Sequence, residues 1–155
     1  MPQWGYSLKE FDPERTVKCS GRELKISPKA ATEICRKLRG MRLDAAKELL
    51  EAVTKKKRAI AFRRYDKEVP HRSLDEDWYA GRYPAKAAKA FLFLLGEMES
   101  NAEYKGLDVD RLRIVHAASQ RGIKTQRIIS RAHGRATPYH NTLVHVELMG
   151  YEVAE

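Results

Sequence analysis

The chain has 155 residues and a mass of 17.8 kDa, which suits one compact domain and leaves little room for two. Apolar residues make up 43% of it and charged residues 33%, enough of the first for a core and a balance that excludes wholesale disorder. Thirty Lys and Arg against twenty-one Asp and Glu leave a formal charge of +9 and a pI near 9.6, so a polyanionic partner is expected.

Residues 1–26 read as an extended N-terminal arm with one short strand at 16–19. Ser27-Pro28 announces a helix, the serine as N-cap and the proline suited to the first turn. Ala31, Ile34, Cys35 and Leu38 follow at the spacing of one buried face, Lys29, Glu33, Arg36 and Lys37 fall elsewhere on the wheel, and Gly40 supplies a stop. A second helix starts near Asp44 and buries Ala46, Leu49, Leu50 and Val53 before fading into a lysine run. Between Phe62 and Tyr83 no helical period appears, so the segment reads as a long surface loop. Pro84 opens a third helix with Ala88, Phe91, Leu92, Leu95 and Met98 on its core side, ending over 101–106. Leu112 and Ile114, then Val144, Val146 and Leu148, alternate as strands do. The simplest topology is one antiparallel hairpin folded near residue 131, with only its base packed on the helices. The expected architecture is α+β: three helices packed on a small antiparallel sheet with a long protruding β-hairpin. All 155 residues form one domain, a body at about 6–110 and an extended hairpin at about 111–150 with its tip at about 127–136.

The hairpin coincides with the chain's most uneven charge. Residues 111–146 contain no Asp or Glu, where an even spread would place about five, and hold Arg111, Arg113, Arg121, Lys124, Arg127, Arg131 and Arg135. That segment supplies +7 of the +9, and exclusion of acids over such a length fits contact with phosphate better than a solvated face, which mixes signs. Ile123, Ile128 and Ile129 would have no domain core to enter, so something else must receive them. A second basic run, Lys55, Lys56, Lys57, Arg58, Arg63, Arg64 and Lys67, reads equally as a helix end favoured by the macrodipole and as a nucleic-acid contact. On the first helix Lys29, Arg36, Lys37 and Arg39 are further candidates for contact with a polyanion.

Other chemistry is thin. No Gly-rich phosphate loop, dinucleotide fingerprint or paired-His zinc helix occurs, and the five histidines are scattered, so no metal or cofactor is expected. His140 and His145 stand five apart on a strand and face opposite sides. Asp108 and Asp110 read as turn and cap residues rather than an acid–base pair. Cys35 reads as a core residue, and with Cys19 it is too little for a disulfide framework, which suits a reduced intracellular home. Trp4, Trp78 and Tyr79 could stack on bases or plug the surface. No apolar run approaches the roughly 18 residues of a spanning helix, and the start lacks the pattern of a signal peptide, so a secreted or membrane protein is not expected. A small nuclease or RNA-modifying enzyme using Asp108, Asp110 and a histidine is the rival reading, and a free tRNA- or mRNA-binding module a weaker one.

The stretches SPKAATEICRKLRGMRLDAAKELL (27–50), ESNAEYKGLDVDRLRI (99–114) and RIISRAHGRATPYH (127–140), in this order, resemble the universal ribosomal protein twenty-two of the large subunit. Val69-Pro70-His71-Arg72 and Gly81-Arg82-Tyr83-Pro84 resemble the longer archaeal and eukaryotic members, and the short C-terminus points to an archaeal-type member. The resemblance implies a non-enzymatic, cytoplasmic ribosomal protein, one copy per ribosome, that binds large-subunit ribosomal RNA and helps assembly. It implies a hairpin that lines the nascent-peptide exit tunnel opposite ribosomal protein four, with Arg131, Ala132, His133, Gly134 and Arg135 as the tunnel-lining tip. Neighbouring ribosomal proteins and the nascent peptide are the partners it implies, with no membrane. At the tip this sequence carries His133 where bacterial relatives often carry lysine, so drug and stalling responses do not transfer.

Overall fold

The computed structural model describes residues 5–9, 11–74 and 77–153. Along the chain come β1 (Thr16–Leu24), α1 (Pro28–Leu38), α2 (Leu43–Thr54), β2 (Ile60–Ala61), β3 (Gly81–Arg82) and α3 (Ala85–Lys105). A 3₁₀ turn at Val109–Arg111 leads into β4 (Leu112–Ser130), and β5 (Ala136–Glu152) returns. The main sheet is antiparallel in the order β1-β5-β4, and β2 and β3 form a separate two-residue pair. The architecture is α+β, three helices on an antiparallel sheet with one long hairpin, as the sequence predicts.

The helices bury the stripes their spacing announces. Ala31, Ile34, Cys35 and Leu38 of α1 and Ala46, Leu49, Leu50 and Val53 of α2 all lie inside. In α3, Ala88, Phe91, Leu95 and Met98 are buried, but Leu92 is only half-buried and Leu94 goes inside instead. The reason is tertiary: α3 packs on α2 and on β1 together, and the Cys19 thiol donates to the Leu94 carbonyl at 3.3 Å. Ser27 heads α1 without its side chain capping; its carbonyl instead accepts from Ala31 N at 2.9 Å. At the other end Gly40 turns at φ +83°, a left-handed conformation that suits glycine, and its amide donates to the Ile114 carbonyl at 2.7 Å. The helix stop thereby also anchors the root of the hairpin.

Two segments depart from the sequence reading. β1 runs five residues past the expected 16–19, because β5 offers it a partner as far as Val144. Between Phe62 and Tyr83 the described residues form the expected surface loop, but it ends in the short strand β3 and is tied down: Phe62, Val69 and Ala80 are buried, and His71 bridges Ala80. The Trp78 indole N–H donates to the Phe62 carbonyl at 2.9 Å. Pairings two residues long leave no periodicity to read in a sequence.

The sheet has three strands only as far as Val144. There β1 ends, after a register shift between Gly21 and Leu24, and at the same level β4 shifts between Arg121 and Lys124. Both irregularities surround His145, whose Nδ1 accepts from Glu23 N at 3.1 Å and whose ring sits against Gly122. Bulges bend a strand and raise its twist. From this level outward β4 and β5 continue alone.

Candidate nucleic-acid interface

From Lys124↔Thr142 to Ser130↔Ala136 the two strands are paired without interruption. At roughly 3.3 Å per residue the arm extends about 25 Å beyond the body. Over residues 121–141 every side chain is exposed; Gly122 alone is partly covered. Cross-strand partners point to one face, so the register sorts the arm. One face carries Arg127 with Tyr139 and Ile129 with Thr137, and the other carries Lys124 with Thr142, Gln126 with His140 and Ile128 with Pro138. Each face therefore has a cation and an exposed isoleucine, Ile128 at 76% and Ile129 at 41%. Neither is a core face. A two-stranded ribbon of this kind is marginal alone in water, and its surface fits an environment that surrounds it on both sides with anions and planar apolar groups.

The tip is a tight turn. Arg135 N donates to the Ala132 carbonyl at 3.4 Å and Arg131 N to the Arg135 carbonyl at 2.8 Å. The two central residues, His133 and Gly134, take φ of +58° and +68°, the signs of a type I′ hairpin turn. The Arg131 guanidinium Nε donates to Thr137 Oγ1 at 3.2 Å, while Ala132, His133, Gly134 and Arg135 are all exposed. Of the two glycines in the acid-free segment, Gly134 serves the turn, whereas Gly122 serves a close approach within the protein itself: a Cβ there would meet His145 Nε2 at 2.7 Å.

The remaining candidates divide. Arg113 and Arg121 are exposed on β4. Arg111 lies before the hairpin, in the 3₁₀ turn, with its Nε 3.1 Å from Asp108 Oδ2. Arg39 is exposed but spends its Nε on the Ala117 carbonyl at 2.9 Å, which pins α1 to β4. Lys55, Lys56, Lys57 and Arg58 are exposed past the end of α2, with Lys55 Nζ 3.3 Å from Glu51. The fold merges two groups that are separate in the sequence. Lys29 and Arg64 each stand 5.7 Å from the Tyr65 ring, and Arg36, Lys37 and Arg63 line one cavity beside them.

Sequence reasoning misplaced one residue here. Glu33 falls off the apolar stripe of α1, yet it is 1% exposed, because the segment after β2 folds over it and both Arg64 N and Tyr65 N donate to its Oε1, at 2.8 and 3.3 Å. No local signal could find it. A second buried carboxylate, Glu147, is held at the hairpin's root by Ser7 N and Oγ on Oε2, at 3.0 and 2.8 Å, and by Gln120 on Oε1. Burial pushes its pKa up, but the Ser7 backbone and side-chain hydrogen bonds, with His116 and Arg22, outweigh that and leave it below the usual glutamate value.

The other residue types behave as core and turn. Asp108 caps the 3₁₀ turn by accepting from Asp110 N at 3.0 Å. His145 is buried and His140 exposed, and among the described residues no three His, Cys, Asp or Glu converge as a metal site would need. Cys19 and Cys35 are buried free thiols whose pKa burial pushes up to about 12. Trp78 stacks on Tyr79 at 4.9 Å with its N–H committed inward, and Trp4 lies outside the described residues. No helix among the described residues is long and apolar enough to cross a membrane.

An exposed, acid-free basic ribbon carried on a small helical body has the surface expected of a structural protein that associates with a polyanion. Sequence comparison names the family: residues 19–150 match the model of ribosomal protein L22p/L17e, and the chain belongs to that family. It is 51% identical to the large ribosomal subunit protein uL22 of Cenarchaeum symbiosum over 152 residues, covering 98% of this chain and 99% of that one. It is likewise 51% identical to uL22 of Methanopyrus kandleri, over 94% of each chain, and 50% identical to that of Archaeoglobus fulgidus, over 96% of each. The archaeal-type resemblance read from the sequence holds. As a member of this family the chain is a non-enzymatic constituent of the large subunit of the cytoplasmic ribosome, which sets aside the nuclease reading.

Proposed function

We propose that this chain binds large-subunit ribosomal RNA through its hairpin and through the basic face around α1, supports subunit assembly, and presents residues 131–135 to the nascent-peptide exit tunnel. Body and hairpin act as one domain, present once per ribosome. Ribosomal protein four stands across the tunnel, and the emerging peptide is a transient partner. The observation that carries the reading is the arm itself: 21 residues, 121–141, without an acid and exposed throughout except for the partly covered Gly122. Arg111, Arg113, Arg121, Lys124, Arg127, Arg131 and Arg135 neutralise phosphates, each arginine fork able to hold two oxygens.

Salt titration of binding to large-subunit RNA fragments tests this. With seven basic residues engaged, log K should fall with log salt at a slope of about −5 to −6. Affinity that barely changes with salt would refute phosphate neutralisation as the mechanism. For the tunnel, a photo-crosslinker at His133 in translating ribosomes should capture nascent peptide, and one at Lys56 should not. Equal capture from both positions would remove the tip from the tunnel.

A further inference from the structure

The cavity between α1 and the segment after β2 holds an acceptor with nothing to accept. Glu33, Arg36, Lys37, Ala61 and Arg63 line about 310 Å³, the small end of ligand clefts and room enough for a nucleobase. The Glu33 side chain is fully buried, and Oε1 is satisfied by the Arg64 and Tyr65 amides. Oε2 is buried as well and, among the described residues, accepts no hydrogen bond. The Arg36 guanidinium comes to 3.7 Å, which offsets charge but is too long for a hydrogen bond. A buried oxygen left in this way costs about 1–3 kcal/mol. Arg36 itself is half exposed, at the mouth of the cavity.

We propose that the cavity takes one unpaired RNA base bearing an exocyclic amino group (adenine, cytosine or guanine), whose N–H donates to Glu33 Oε2 as the half-exposed Arg36 side chain swings off that oxygen to take the adjoining phosphate. This rests on the RNA-binding reading above and adds base selectivity to it. Single-stranded RNA is read by this combination of a splayed base, an edge hydrogen bond and an arginine. Uracil is rejected, because the carbonyls that flank its N3–H would face the carboxylate.

The test uses the full chain and ten-nucleotide oligomers of adenosine, cytidine and uridine, with binding followed by fluorescence anisotropy at low salt. The three probes carry equal charge, so phosphate attraction cancels. Cytidine against uridine is the deciding pair, since both are pyrimidines of one size. The wild-type chain should bind the cytidine oligomer about tenfold more tightly than the uridine oligomer. Glu33→Gln keeps a carbonyl for the Arg64 and Tyr65 amides and turns an NH₂ into the cavity, so the preference should invert toward uridine. A merely structural Glu33 would not produce an inversion. Arg36→Ala should weaken all three to a similar degree and leave the ratio intact. Equal binding of cytidine and uridine by the wild-type chain, or a ratio unchanged in Glu33→Gln, would overturn the proposal and leave general RNA binding standing. Failure to bind any oligomer would take both.

Discussion

The helical body and the projecting arm come from one chain but obey opposite rules. In the body, apolar side chains recur at helical spacing and disappear: Ile34, Leu38, Leu50, Val53, Phe91, Leu95 and Met98 are fully buried. In the arm, Ile123, Ile128 and Tyr139 are as apolar but stay more than half exposed, and no acid stands among them. The body's cations have carboxylate company, as Lys47 has in Glu99 and Lys55 in Glu51, while the arm's have none in their own segment. A region stabilised by its own packing can be judged from its contacts. A region whose partners lie outside the chain can be judged only by what it leaves unsatisfied.

That contrast can be broken or sharpened by measurement. The largest stability effect should come from the body: Phe91→Ala removes a fully buried ring and should cost about 3–5 kcal/mol in denaturant unfolding. Ile128→Ala in the arm should cost under about 0.5 kcal/mol, and a comparable loss at both sites would show that the arm belongs to the core. Deleting residues 127–135 should leave body unfolding unchanged while removing three arginines from RNA binding, seen as a salt slope shallower by about 2–3. The joint between the regions should be stiffer than the tip. Gly122→Ala drives a methyl into the His145 ring and should cost about 1–3 kcal/mol, whereas the strain of Gly134→Ala, in open space at φ +68°, should stay local and not register in body unfolding.

Glu147 gives a smaller, pH-dependent effect at the same joint. Its folded pKa lies below its ordinary value, so its contribution is complete above the normal glutamate range near about 4.3 and is lost as pH falls through the lowered value. Glu147→Gln should therefore destabilise by about 1 kcal/mol at neutral pH and converge with the parent chain in acid. Divergence in acid would contradict the assignment. Smallest of all is a null effect: thiols raised to about 12 should resist alkylation at neutral pH until the body unfolds.

Much of this was legible without coordinates, for reasons that lie in particular residues. The stripes of α1 and α2, the stop at Gly40 and the alternation of Leu112 and Ile114 are periodicities within a single element, set by how a helix or strand repeats. The acid-free run that marks the arm is written in composition, because the number of carboxylates in a segment does not depend on how the chain folds. Tertiary structure alone decided what depends on two distant segments meeting. It placed Leu94 rather than Leu92 inside α3, extended β1 to its partner's length, spent Arg39 on the Ala117 carbonyl, and sealed Glu33 beneath residues 64 and 65. Burial of a charge is a property of whatever covers it, and the cover here is 31 residues away in sequence.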